Sequence, residues 1–149
     1  MQAIELAQKL RYSKGLVNGY WNLATYNWIY AKNNAKAINY YLKAENISKE
    51  SGDIIHESDI LSNIGDVYAG MDSFSISLKY QFQALKIDKK NNSHINTLNN
   101  IGNNYEALGD YPNALKYFLE ALNDTKKPGD PERISIYLTN IGGIYTRMK

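Results

Sequence analysis

His56 and His94 are the only imidazoles in a chain of 149 residues, and imidazole is the side chain best suited to moving protons or holding a metal near neutral pH. Neither has the company that such chemistry needs. There is no His-x-x-x-His pair and no Glu-x-x-His pair, the spacings that put two ligands on one helix face. Each histidine reads as a surface or loop residue. Cysteine is absent, which removes thiolate ligands, disulfides and a sulfur nucleophile together. Gly142-Gly143 is the one glycine pair, and no Lys-Ser/Thr follows it to make a phosphate loop. Asp66, Glu106 and Asp110 show no pairing that general acid–base work would use. The expectation is therefore no catalytic residue, no metal, no cofactor and no enzyme.

Asparagine is the polar residue whose placement stands out. Asn96, Asn99, Asn100 and Asn103 follow the i, i+3, i+4, i+7 spacing of one helix face. Asparagine is a mediocre helix former, because its side chain competes with the backbone for hydrogen bonds, so stability alone does not favour such a stripe. One reading is compositional: 14 of the 17 basic residues are lysine and asparagine is abundant, as an A/T-rich genome would give on a solvated face. The other is chemical. A side-chain amide donates and accepts at once, and so matches the C=O and N–H of a peptide unit.

The elements that carry these residues are set by an internal repeat. Asn63-Ile64-Gly65-Asp66-Val67-Tyr68 recurs as Asn100-Ile101-Gly102-Asn103-Asn104-Tyr105 and as Asn140-Ile141-Gly142-Gly143-Ile144-Tyr145, with the glycines 37 and 40 residues apart. Trp21, Ala24, Thr25 and Trp28 form a weaker copy 40 residues earlier. Periods of this size belong to solenoids. In the clearest copy Leu98, Ile101, Gly102, Tyr105 and Leu108 make one helical stripe, and Gly109-Asp110-Tyr111-Pro112 make a turn. A second stripe follows in Ala114, Leu115, Phe118, Ala121 and Leu122. Gly costs about 1 kcal/mol in a helix relative to Ala, so a glycine recurring in phase implies close contact between two helices. Gly102→Leu is expected to overpack that contact by about 1–3 kcal/mol, with alanine milder.

Leu98-x-x-Ile101-Gly102-x-x-Tyr105 followed by Ala114-x-x-x-Phe118-x-x-Ala121 resembles the tetratricopeptide repeat, whose 34-residue pattern runs Trp-x-x-Leu-Gly-x-x-Tyr, Ala, Phe, Ala, Pro. The resemblance covers nearly the whole chain. It departs in period, in Gln81 at the aromatic place of the second copy, where Tyr80 or Phe82 could compensate, and in Thr25 for glycine in the first, which should loosen that contact. The resemblance implies an all-α, right-handed α-solenoid of helix-turn-helix repeats. Residues 1–149 read as a single array: a partial repeat 1–14, repeats about 15–53, 54–92 and 93–129, and a partial repeat 130–149, a slice of a longer protein. It also implies that first helices line a concave groove, in which asparagines preceding Leu-Gly form a ladder along a bound peptide, as in kinesin light chain. Asn63, Asn100 and Asn140 match that place, and Asn22, Tyr26, Asp66, Asn99 and Asn103 would select side chains beside it. Asn100→Ala is then expected to leave folding intact and to weaken peptide binding.

The 17 basic and 15 acidic residues are scattered, with only the short pairs Lys89-Lys90 and Lys126-Lys127. That lacks the basic face of a nucleic-acid binder. No apolar run approaches the ~20 residues of a membrane span, and the first residues lack the basic and apolar segments of a signal peptide. The groove positions Asn22, Asp59, Ser62, Asn96, Asn99 and Asn100 hold no Lys or Arg, which argues against a clamp for a C-terminal carboxylate. The reading is a scaffold that binds a protein or peptide in its groove, of the kind found in bacterial signalling and sensor proteins. The competing reading is a structural array that self-assembles through uncapped terminal helices, where Leu138, Ile141, Ile144 and Tyr145 would lack a partner helix.

Overall fold

The computed structural model describes residues 2–91, 95–125 and 130–149, without the side chains of Lys90 and Asn91. His94, Lys126, Lys127 and Pro128 lie outside the described residues. Eight helices and no strand occur among the described residues: α1 (Gln2–Lys9), α2 (Ser13–Ile29), α3 (Asn34–Ser51), α4 (Ile54–Ala69), α5 (Phe74–Asn91), α6 (Ile95–Ala107), α7 (Tyr111–Thr125) and α8 (Pro131–Arg147). Four of the starts, those of α3, α4, α7 and α8, are capped by short polar side chains that accept a backbone N–H left free in the first turn, while Tyr12 before α2 makes no such bond. Asn33 accepts from Lys36 at 3.0 Å, Asp53 from His56 at 3.3 Å, Asp110 from Asn113 at 3.2 Å and Asp130 from Arg133 at 3.2 Å. Pro131 opens α8, where a missing N–H costs nothing.

The helices pack as antiparallel pairs, α2 with α3, α4 with α5 and α6 with α7, and each second helix also meets the first helix that follows. The turn inside each pair places one residue in the left-handed region: Lys32 (φ 52°), Asp72 (φ 55°) and Gly109 (φ 76°). Only Gly109 holds that conformation free of the steric cost borne by a side chain. First helices also touch one another, α2 with α4 and α4 with α6, so the pairs converge on the first-helix side. Apolar residues of both helix types form two clusters, one around Val17, Tyr41, Ile60 and Ile64, the other around Leu98, Ile101, Phe118 and Ile141.

The close contact implied by the recurring glycine is present at Gly65 and Gly102 but not at Gly142, where a Cβ would meet nothing within 4 Å. A Cβ on Gly102 would stand 2.5 Å from Cε1 of Phe118, a ring with no solvent exposure. On Gly65 it would meet Nε2 of Gln81 at 2.8 Å. In the first pair the contact is not simply loosened, because Thr25 Oγ1 and the Tyr41 hydroxyl bond at 3.0 Å across α2 and α3. Burial is the main force pushing the Tyr41 phenol above its ordinary pKa. Neither Tyr80 nor Phe82 stands in for an aromatic at Gln81. Tyr80 stacks on Tyr68 at 5.6 Å, Phe82 meets Tyr105 and Tyr117 edge-on, and Gln81 is itself fully buried. At α8 the expectation of four unpartnered side chains is corrected by half. Ile141 and Ile144 are buried in the cluster that includes Phe118, while Leu138 and Tyr145 are more than half exposed.

Candidate functional site

Where α2, α4 and α6 converge, the surface sinks into a cavity of about 300 Å³. Four helices supply its wall: Trp21 from α2; Asp59, Ser62, Asn63 and Asp66 from α4; Asp88 from α5; and Asn96, Thr97 and Asn100 from α6. Helical period explains the α4 set, since residues 59, 62, 63 and 66 fall at i, i+3, i+4 and i+7 on one face. Their opposite neighbours Ile60, Ile64 and Val67 are fully buried. Trp21 also borders a second recess with Asn18, Asn22 and His56, so the two hollows share the indole as a common wall. The His56 ring meets Trp21 edge-on at 5.8 Å, and its Nδ1 lies 2.7 Å from Asp53 Oδ2. The imidazole's hydrogen bond holds the Asp53 carboxyl below its usual value.

A polar network forms the floor of the cavity. Gln81 Nε2 donates to Asp66 Oδ1 at 2.8 Å and to the Ser62 carbonyl at 3.1 Å, while Ser62 Oγ donates to Gln81 Oε1 at 3.0 Å. Asn100 Nδ2 donates to Asp66 Oδ1 at 3.0 Å and reaches Ser62 Oγ at 3.5 Å. Burial pushes the Asp66 carboxyl up to about 6, against the opposing pull of the Gln81 hydrogen bond. Desolvation disfavours the charged form of an acid, and an amide donor only partly offsets it. Asp88, almost wholly buried, accepts from Thr97 Oγ1 at 2.6 Å. The wall thus carries three carboxyl groups and no Lys or Arg, together with an indole face and amides that both donate and accept.

Of the residues singled out from sequence, Asn63, Asp66 and Asn100 share this cavity and Asn22 lines the adjoining recess. Asn140 donates to Asn99 Oδ1 at 3.1 Å, joining α8 to α6. Tyr26 is exposed and lies 5.8 Å from Tyr30, and Asn103 is exposed on α6; neither lines the cavity or the recess beside it. Sequence reasoning missed Trp21, Asp88 and Thr97 as wall residues and Gln81 beneath them. Trp21 was absorbed into the repeat signature, and Asp88 comes from a second helix, which the expected groove did not include. The one available signal was Gln81, polar where its counterparts are aromatic.

Asn100 is half-buried and bonded, and the expectation of a silent loss on folding changes accordingly. Asn100→Ala removes a donor from an ionised carboxylate, worth about 1.5–3 kcal/mol, and regains at most ~0.7 kcal/mol of helix propensity. Urea melts at pH 7.5 should show the variant less stable by about 1–2 kcal/mol. The deficit should shrink at pH 5, where Asp66 is already protonated in the fold. A variant as stable as wild type at pH 7.5 would show the bond to be energetically empty.

Among the described residues, no group of three or more His, Asp or Glu is placed to hold a metal, and no helix is long and apolar enough to cross a membrane. Residues 56–127 match the family model described as tetratricopeptide repeat. No curated protein matches the sequence. Among solved structures the chain is similar to BtubC (BKLC) of P. vanneervenii, with TM-score 0.89, 23% identity, and 99% of this chain and 63% of that one covered. It is similar to the sensor-bearing signal transduction ATPase with numerous domains from Pyrococcus horikoshii, with TM-score 0.84, 22% identity, and 95% and 22% covered. The apo form of RapI gives TM-score 0.81 and 17% identity, with 89% and 49% covered. The chain spans less than two thirds of each of these proteins. Likeness at such identity shows the fold: a right-handed α-solenoid of helix pairs.

Proposed function

We propose, from the premise that residues 56–127 belong to the tetratricopeptide repeats and that the pair α2–α3 precedes them and α8 follows, that the chain is a binding scaffold whose converging first helices hold a segment of a partner protein. The observation that carries this reading is the cavity between α2, α4 and α6, with its indole wall, its amides and its three carboxyl groups. Asn63 offers its side-chain amide, and Asn100 its amide oxygen, to an extended backbone, and Asn22 continues that lining into the next recess. Asn140 extends the row to α8, with Asn99, Asn103 and Tyr26 selecting side chains beside it. Asp59, Asp66 and Asp88, without a neutralising Lys or Arg in the wall, favour a segment with a basic side chain at this point, since opposite charge stabilises and like charge rejects. A sensory role in a bacterial signalling protein fits the same surface. In support, one similar structure is described as a signalling ATPase with a tetratricopeptide sensor.

Selection of a random nonapeptide display library on the chain tests this. Enriched peptides should carry Lys or Arg at a fixed position. In amide NMR spectra they should shift the Trp21 indole and the side-chain amides of Asn63 and Asn100. Enrichment without basic residues, or shifts confined to α3 and α7, would sink the groove reading. The second reading, a self-assembling array, is favoured by the exposed Leu138 and Tyr145 on α8. Sedimentation as a multimer that Leu138→Asp dissociates, with no peptide selected, would put it first.

A further inference from the structure

Tyr41, Gln81 and Phe118 occupy the same place in α3, α5 and α7, 40 and 37 residues apart. Each lies over the small residue of its own first helix: Thr25, Gly65 and Gly102 in turn. All three are buried, at 1%, 0% and 0% exposure. The two aromatics end inside the core, whereas Gln81 crosses beside Gly65, where the missing Cβ leaves room, and puts its amide at the floor of the groove. There every polar atom of the amide finds a partner: Nε2 on Asp66 and the Ser62 carbonyl, Oε1 on the Ser62 hydroxyl. Taking an amide out of water is unfavourable unless its hydrogen bonds are made, and an aromatic ring closes the same contact in α7 without that demand. The fold alone therefore does not call for glutamine at this position.

We infer that Gln81, a residue of the outer helix α5, is the specificity-determining residue of the groove: it clamps Ser62 and Asp66 from beneath so that the Asp66 carboxylate is held for a cationic side chain of the bound segment. This rests on the groove reading above. The clamp also reaches the neighbouring repeat, because the Asp66 oxygen that Gln81 holds is the one that Asn100 bonds. The other ionisable groups around Asp66 are Tyr41 from α3, Asp59 on the same helix and Asp88 from α5.

Two variants separate this role from packing. Gln81→Phe installs the ring that α7 carries, and Gln81→Met keeps the length but donates nothing. The probes are two acetylated Ala/Ser nonapeptide amides, one with a central arginine and one with citrulline, which has the same shape without the charge. Wild type should bind the arginine peptide at least tenfold tighter. Both variants, with unchanged circular dichroism, should bring that ratio below threefold. Variants that keep the full ratio overturn the inference. If wild type binds neither peptide, or both equally, the basic-segment reading of the groove fails, and the Asp66 carboxyl titration in the unliganded chain decides the clamp. An upward move of its midpoint in Gln81→Met sustains the clamp, and an unmoved midpoint removes it.

Discussion

Gly102→Leu should unfold the chain at a markedly lower temperature than wild type, while Gly142→Ala, at the same position of the same repeated phrase, should raise the melting temperature. The first effect follows from distance. Even a lone Cβ at Gly102 would sit 2.5 Å and 2.7 Å from two ring carbons of Phe118, well inside the ~3.5–4.0 Å at which carbon atoms attract. Phe118 has no exposure and packs with Leu98, Ile101, Ala114 and Ala121, so the ring cannot swing into solvent. Overpacking of this kind costs about 1–3 kcal/mol, occasionally more, and leucine brings three further carbons into the same contact. Alanine stays milder than leucine, but it does not escape the clash. Its Cβ is the clashing atom, so Gly102→Ala should destabilise too, despite a helix-propensity gain of about 1 kcal/mol. At Gly142 a Cβ meets nothing within 4 Å. Only the propensity gain remains, and alanine should stabilise by about 0.5–1 kcal/mol. Thermal melts of the three variants check this. Gly102→Ala at or above wild type, or Gly142→Ala below it, would dismiss the explanation.

Asp66→Asn should make the chain more stable at neutral pH and, in the same stroke, weaken its grip on a basic peptide at least about tenfold, the worth of ~1.4 kcal/mol. Burial holds the Asp66 carboxyl at about 6, above the ~3.9 of an unfolded chain. Between these values the folded state keeps a proton that the unfolded state has released, so stability is full below about pH 4 and falls as pH rises through about 6. Roughly two pH units of difference correspond to about 2–3 kcal/mol lost at neutrality, an upper figure for a group at the edge of a solvent-filled cavity. Asparagine keeps an oxygen for Gln81 and Asn100 and carries no charge to desolvate. Urea melts from pH 3.5 to 7.5 should therefore show a wild-type decline through pH 4–6 that the variant lacks. The two proteins should converge at the acid end. A variant less stable than wild type at pH 7 would mean that the carboxylate contributes to the fold instead of opposing it.

The repeat was legible in the sequence because solenoid packing is local. Each stripe, such as Leu98-Ile101-Gly102-Tyr105 against Ala114-Phe118-Ala121, needs only its neighbours in the chain to form one helix pair, and the phrase recurs at fixed period. The helical stripes and a close helix contact at Gly102 follow from that periodicity, and the resemblance to the tetratricopeptide repeat implied the pairing of α6 with α7. The face of α4 and α6 that carries Asn63, Asp66 and Asn100 was legible for the same reason, since period 3.6 fixes which residues sit opposite an apolar stripe. The state of those side chains was not. Whether the Asn100 amide is free or bonded depends on Ser62 and Asp66, 38 and 34 residues away, and on how far one repeat is rotated against the next. The same rotation brings Asp88 of a second helix into the wall and pairs Asn140 with Asn99. Gln81 marks the boundary between the two kinds of knowledge. Its departure from the aromatic pattern is visible in the letters, but its destination depends on the opening beside Gly65 and on an acceptor beyond it, which exist only once α4 and α5 have closed on each other.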